Sequence, residues 1–236
     1  MIELNADIGE GCDDAPLLPY LGRVSIACGG HAGDAETMRR ALATAAACGV
    51  AVGAHPAYPD REYFGRRPLQ ASVDEIEGWV RAQVETLAGH ALALGLRLAH
   101  VKPHGALYNV AARDEAVARA VIRGVVSVDS ALAIVALSGS RLVVAAREAH
   151  LAVLQEAFAD RRYRDDGSLV SRETPGAVLA DAALAAAQAR AIAKGAPVVT
   201  DRGTRVRIPA DTLCVHGDTP HALAIVRATH AALTTF

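Results

Sequence analysis

Four of the nine histidines in this chain come directly after short apolar runs, each with Gly or Pro beside it. They stand in Ala27-Cys28-Gly29-Gly30-His31, Gly53-Ala54-His55-Pro56, Lys102-Pro103-His104-Gly105 and Cys214-Val215-His216-Gly217. One such histidine is usually a hydrogen-bonded structural residue; four in equivalent places point to a shared site. The first run adds an acid and an amide. Side chains alternate along a strand, so Ile2, Leu4, Ala6 and Ile8 share one face while Glu3, Asn5 and Asp7 share the other. Asn5 and Asp7 therefore point into a lumen or cleft near the carboxyl end of the strand, where such folds bind ligands. The competing role for Asp7 is to cap the loop behind it. Imidazoles and carboxylates so placed serve as general acids and bases, or ligate a divalent metal that generates hydroxide, but no fixed ligand spacing identifies a metal.

Lys102 carries separate information. Of 24 basic residues 22 are Arg, and the two lysines are Lys102 and Lys194. Lys194 ends a helical stretch before Gly195, where a cation suits the helix dipole. Lys102 ends a strand two positions before His104, on the same face, as an anion anchor, electrophile or nucleophile; a structural ion pair with Asp7 is the alternative. Arg66 or Arg67, behind His55, could take a substrate carboxylate in a bidentate pair. Asp160 follows the sixth strand and brings another acid toward the same rim, with Glu156 just inside that strand. Asp165-Asp166-Gly167 reads as a turn. Cys12, Cys28 and Cys214 could approach this site, although small buried thiols are the stronger reading.

The elements that must position these residues follow from periodicity. Short apolar runs at 2–8, 24–27, 50–54, 96–101, 132–137, 151–158 and 212–215 alternate with helical segments, the signature of βα units around a parallel sheet. The helix over 34–48 carries Met38, Leu42 and Ala45 on one face and stops at Gly49. The next opens on a capping box of Ser72 and Glu75, carries Ile76, Val80, Val84, Leu87, Ala91 and Leu94 as its stripe, and ends at Gly95. Further helices are expected at 114–125, 140–149, 176–193 and 219–233, the last with Thr219 as N-cap and Pro220 in its first turn. Residues 161–175 and 196–211 read as irregular, with minor strands at 198–200 and 206–208. No composition shift or linker divides the chain, and 236 residues fit one domain, 1–236. The units could stay open as a doubly wound sheet or close; a closed (β/α) barrel is the preferred α/β reading.

Composition removes several classes. With 24 Lys and Arg against 26 Asp and Glu, the net charge of −2 gives no field for nucleic acid or an anionic membrane. The uncharged stretch 41–59 is broken by Gly49, Gly53, His55, Pro56 and Pro59 and does not read as a membrane span. Four cysteines without CxxC spacing, and an acidic N-terminus without a signal-like apolar run, lead to the expectation of a cytoplasmic protein. There is no Gly-Lys pair for a P-loop, no GxGxxG after the first strand, and neither HExxH nor GxSxG.

Taken in order, six blocks resemble the LamB/YcsF family: Leu4-Asn5-Ala6-Asp7-Ile8-Gly9-Glu10, Ala27 to Asp34, Gly53-Ala54-His55-Pro56, Val101 to Asn109, Phe158-Ala159-Asp160-Arg161 and Cys214-Val215-His216-Gly217-Asp218. The resemblance covers practically the entire chain. Glu3 stands where the family often has Asp, and Gly30 where it often has a bulkier residue, which could widen the site. The resemblance implies a deacetylase-like (β/α) barrel of seven strands. It also implies ATP-dependent opening of 5-oxo-L-proline to L-glutamate alongside two partner subunits of B and C type, with the ATP site here or on a partner. Opening an unactivated lactam needs an activated carbonyl, a nucleophilic water and a proton for the leaving nitrogen. Asp7 or Glu10 could orient the water, His55 or His104 give the proton, and Lys102 neutralise the oxyanion or a phosphate. Asn5, His31, Asp34, Arg66, Tyr108, Asp160 and His216 are the expected substrate contacts, with Arg66 on the carboxylate. The rival readings are a stand-alone metal-dependent deacetylase and a non-catalytic sugar or organic-acid binding barrel.

Overall fold

The computed structural model describes residues 2–234. In chain order the elements are β1 (Glu3–Ile8), β2 (Arg23–Ala27), α1 (Ala35–Ala47), β3 (Ala51–His55), α2 (Val73–Ala93), β4 (His100–Val101), α3 (Gly105–Ala111), α4 (Glu115–Val126), β5 (Ala133–Leu137), α5 (Arg141–Glu148), β6 (Val153–Phe158), α6 (Ala182–Ala193), β7 (Val198–Val199), β8 (Arg205–Val206), β9 (Thr212–Cys214) and α7 (Ala222–Thr234). Seven of the strands, β1 to β6 and β9, form a closed barrel. All its neighbours are parallel, and the seam closes where Glu3, Leu4 and Asn5 of β1 pair with Thr212, Leu213 and Cys214 of β9. The barrel expected from the alternation is therefore the fold, and the open sheet is not. The two minor strands, β7 and β8, pair antiparallel outside the barrel.

Helix starts follow their caps. Ser72 and Glu75 make the reciprocal capping box of α2, and Asp34 and Thr37 make that of α1. Gly49 and Gly95, after the first two helices, sit at φ 68° and 72° as their C-cap reading requires. Two expected starts move: α6 begins at Ala182, capped by Asp181 rather than at 176, and α7 begins at Ala222 rather than at 219. Thr219 caps nothing, and its hydroxyl is buried without a partner. The expected strand at 96–101 shrinks to two paired residues. The short α3, absent from the periodicity reading, occupies Gly105–Ala111 directly after His104.

The apolar core lies between the barrel wall and the helices, where Ala6, Ile8, Val24, Ile26, Ala54, Val101 and Leu213 are buried against residues such as Leu42, Val80 and Leu87. The lumen beside β1 to β4 is polar instead. At its lower end Arg23 pairs with Glu3, and the His100 ring lies between Arg23 and the Ser25 hydroxyl. Gly53 is required there, because any Cβ would enter the His100 ring. No helix among the described residues is long and apolar enough to cross a membrane.

Candidate active site

Lys102 is the centre of the upper lumen. Its backbone N–H donates to Ala54, continuing the register of β4, so the side chain follows His100 inward. The ammonium lies 3.0 Å from Asp7 Oδ1 and 2.8 Å from Glu156 Oε1, and donates to Asn5 Oδ1 at 3.3 Å. Cys214 Sγ completes the surround at 3.3 Å. Burial alone would lower the Lys102 pKa, but the acids around it outweigh that and hold the amine charged, well above its ordinary value. Burial would raise the Asp7 carboxyl, yet His55 and Lys102 hold it well below the usual carboxylate range. Glu156 is fully buried and also accepts the Tyr108 hydroxyl at 2.7 Å. Burial and Glu156 push the Tyr108 phenol far up, so it remains a donor.

Above this floor three histidines and Glu10 meet. His55 Nδ1–H donates to the Lys102 carbonyl at 2.7 Å, and His104 Nε2–H donates to the Phe64 carbonyl at 2.9 Å. Carbonyls only accept, so His55 Nε2 and His104 Nδ1 face one another, 3.0 Å apart, with their lone pairs or one shared proton. Glu10 Oε1 lies 2.8 Å from His31 Nε2, 3.3 Å from His104 Nδ1 and 3.7 Å from His55 Nε2. Asp7 Oδ2 approaches His55 Nε2 from the other side at 3.4 Å. Burial lowers the His31 pKa to about 4 and lowers that of His104. His55 moves the other way: burial would lower it, but Asp7 overrides and raises it. Glu10, His31, His55 and His104 form a group able to hold a metal ion.

The cavity over this cluster encloses about 580 Å³. Asp7, Glu10, His55, Lys102, His104, Tyr108, His216 and Arg66 line it, whereas Asn5, His31, Asp34 and Asp160 do not. Asn5 is a buried support, donating to Thr212 and accepting from Lys102. His31 stacks behind His104 at 3.6 Å. Asp34, expected as a substrate contact, is exposed and serves as the α1 N-cap. Asp160 is buried under His216, accepting both its backbone N–H at 3.0 Å and its Nδ1–H at 2.9 Å. Arg66 reaches the rim with its side chain 48 % exposed and paired to Asp218 at 3.1 Å. Nor does Gly30 widen the cavity: it is filled from the other side by Gln83, whose amide spans the Ala57 N–H and C=O.

Two groups of residues outside the expected catalytic and substrate-binding set belong to the site. Glu156 and Cys214 share the Lys102 pocket, and the in-strand parity of Leu154, Glu156 and Phe158 was the available signal for the first. Arg113, Arg161, Arg164 and Arg172 line the far wall beside Ser138-Gly139-Ser140, together with the acids Asp166, Glu173 and Asp218, the last of which holds Arg172 in a bidentate pair. Burial brings Arg161 down to about 10, still cationic at neutral pH. Arg161, Arg164 and Arg172 come from the irregular segment after β6 and Arg113 from the turn after α3; Arg161 ends the Phe158-Ala159-Asp160-Arg161 block, whereas no local pattern marks the other three.

Comparison with known proteins identifies the family and the fold. The model of the LamB/YcsF family matches residues 2–236. The chain is 51 % identical to the A-type subunit of 5-oxoprolinase from Chloroflexus aggregans, over 94 % of this chain and 91 % of that protein. It is 47 % identical to the corresponding 5-oxoprolinase protein of Methylococcus capsulatus, over 96 % of this chain and 89 % of that one. The crystal structure of a lactam utilization protein from Thermus thermophilus superposes with a TM-score of 0.91 at 40 % identity, covering 99 % of this chain and 96 % of the other.

Proposed function

The chain belongs to the LamB/YcsF family, and from that membership we propose that it is the A-type component of an ATP-dependent 5-oxoprolinase, opening the lactam of 5-oxo-L-proline to L-glutamate with B- and C-type partner subunits. One observation carries the chemistry: a buried ammonium and a carboxylate stand 3.0 Å apart at the floor of a cavity, Lys102 against Asp7. An unactivated amide needs charge neutralised where its oxyanion develops, and a low-dielectric floor makes a fixed cation effective there. Lys102 supplies that charge, with Glu156, Tyr108 and Asn5 holding it in place.

Asp7 or Glu10 orients the attacking water, and the proton for the ring nitrogen travels by way of the His55 and His104 pair. The substrate contacts fall to Arg66, Tyr108 and His216, which line the cavity, with His31 and Asp160 supporting them from behind. A cavity of 580 Å³ exceeds what a small lactam acid fills, and the surplus runs toward Arg113, Arg161, Arg164 and Arg172. That wall suits a phosphate, which supports ATP coupling whether the nucleotide is held mainly here or reaches in from a partner.

Glutamate release from 5-oxoproline, assayed with and without ATP and the two partners, tests the reading. The lone chain should release little; the three proteins together with ATP should release glutamate and ADP in step. Chelator-sensitive hydrolysis of simple N-acetyl compounds by the lone chain, indifferent to ATP, would reject it in favour of the deacetylase.

A further inference from the structure

We propose that Glu10 Oε1, His55 Nε2 and His104 Nδ1 form a three-ligand seat for one divalent transition-metal ion, open toward the cavity, with Asp7 adjoining it and His31 orienting Glu10. The three ligand atoms are 3.0, 3.3 and 3.7 Å apart. Bonds of about 2.0–2.1 Å in a tetrahedral site put ligand atoms roughly 3.3 Å from each other, within this spread.

The hydrogen bonds behind the ligands point the same way. Backbone carbonyls take the protons of His55 Nδ1 and His104 Nε2, which fixes both tautomers with the free nitrogens turned inward. The Phe64 carbonyl is aimed at His104 from a left-handed backbone, φ 56°, a conformation a bulky residue adopts only at a cost. His31 Nε2–H donates to Glu10, and its Nδ1 has no partner. As a ligand through Nε2 His31 would carry an unpaired buried N–H at Nδ1, so it fits the outer role better.

Charge balance is an independent argument. The upper lumen holds the carboxyl groups of Asp7, Glu10 and Glu156 against the single ammonium of Lys102, an excess of two negative charges when the imidazoles are neutral. A divalent ion cancels that excess. Two imidazoles and one carboxylate suit zinc, cobalt or iron(II) better than magnesium or calcium, which take oxygen ligands. Seating the ion would release to solvent the proton shared among these groups and would use His55 Nε2 and His104 Nδ1 as ligands, with Asp7 beside them able to accept a hydrogen bond from a bound water.

The seat is argued from this chain's geometry and read by ion binding, so it stands or falls apart from the lactam reading. The test uses the full chain, stripped with chelator, dialysed against Zn2+ or Co2+, and analysed for bound metal. One equivalent per chain is expected, with visible d–d bands for Co2+ whose intensity reports a four- or five-coordinate site. Glu10→Gln and His104→Gln should each weaken binding at least 100-fold, and His31→Gln, whose amide still donates to Glu10, by 10- to 100-fold. His216→Gln, outside the set, should keep the full equivalent. A wild-type chain that returns from dialysis without metal overturns the proposal whatever the variants do. So does an ion retained, with an unchanged spectrum, by a folded His104→Gln chain.

Discussion

Replacing Lys102 with Met tests stability and turnover with one perturbation. Met matches the length of the stem but removes the ammonium that lies 2.8 Å from Glu156 and 3.0 Å from Asp7. Glu156 would keep the Tyr108 hydroxyl as its hydrogen-bond donor while its charge, fully buried, lost its counter-ion. Breaking a buried ion pair in this way costs about 3–5 kcal/mol, against a total stability of about 5–15 kcal/mol for a domain. At about 2–4 °C per kcal/mol for a chain of this size, Tm should fall by roughly 6–20 °C. The double variant Lys102→Met/Glu156→Gln removes the stranded charge and keeps an acceptor for Tyr108, so it should recover more than half of that loss. Turnover should not recover. Losing an oxyanion stabiliser costs about 3–4 kcal/mol of barrier, roughly 100- to 1000-fold in rate. Thermal unfolding of the single and double variants, paired with ATP-coupled glutamate release in the three-protein mixture, reads both effects. A Lys102→Met chain melting within a degree of wild type would refute the ion-pair argument, and a double variant with near-normal turnover would rule out the electrophile.

Acid sensitivity should carry the signature of His100. Burial depresses its pKa to about 3 from an ordinary value of 6.5, so the unfolded chain binds a proton that the folded chain refuses. Its contribution to stability is complete above about pH 6.5 and is lost as pH falls toward 3, and a folded His100→Gln chain should show a shallower decline of Tm between pH 6.5 and 4; an identical slope would contradict this. Arg66, the sequence-based choice for the substrate carboxylate, is half exposed and already paired with Asp218. Arg66→Ala should therefore raise KM less than about tenfold, or 1.4 kcal/mol, with kcat nearly unchanged; a hundredfold rise in KM would give Arg66 the larger role.

Whatever depends on near neighbours along the chain is legible in its residues alone. Strand parity puts Asn5 and Asp7 on the lumen face, the Ser72 and Glu75 pair places the start of α2, and seven apolar runs match the number of barrel strands. Asp34 is legible as a cap too, since Thr37 stands three residues on, a local signal that outweighs its expected role as a substrate contact. The rest requires contacts between residues far apart in sequence. Closure of β1 on β9 joins Asn5 to Cys214, and no local period distinguishes a closed sheet from an open one. Glu156 becomes a partner of Lys102 through barrel closure, and Arg161 and Arg172 become cavity wall through the path of an irregular segment that carries no repeating pattern. The direction of each imidazole nitrogen is set by the carbonyls of Lys102 and Phe64, one 47 and the other 40 residues away from the histidine it holds. Parity and capping are properties of a few consecutive backbone units; charge balance and ligand geometry exist only once distant strands have brought their side chains into one low-dielectric space.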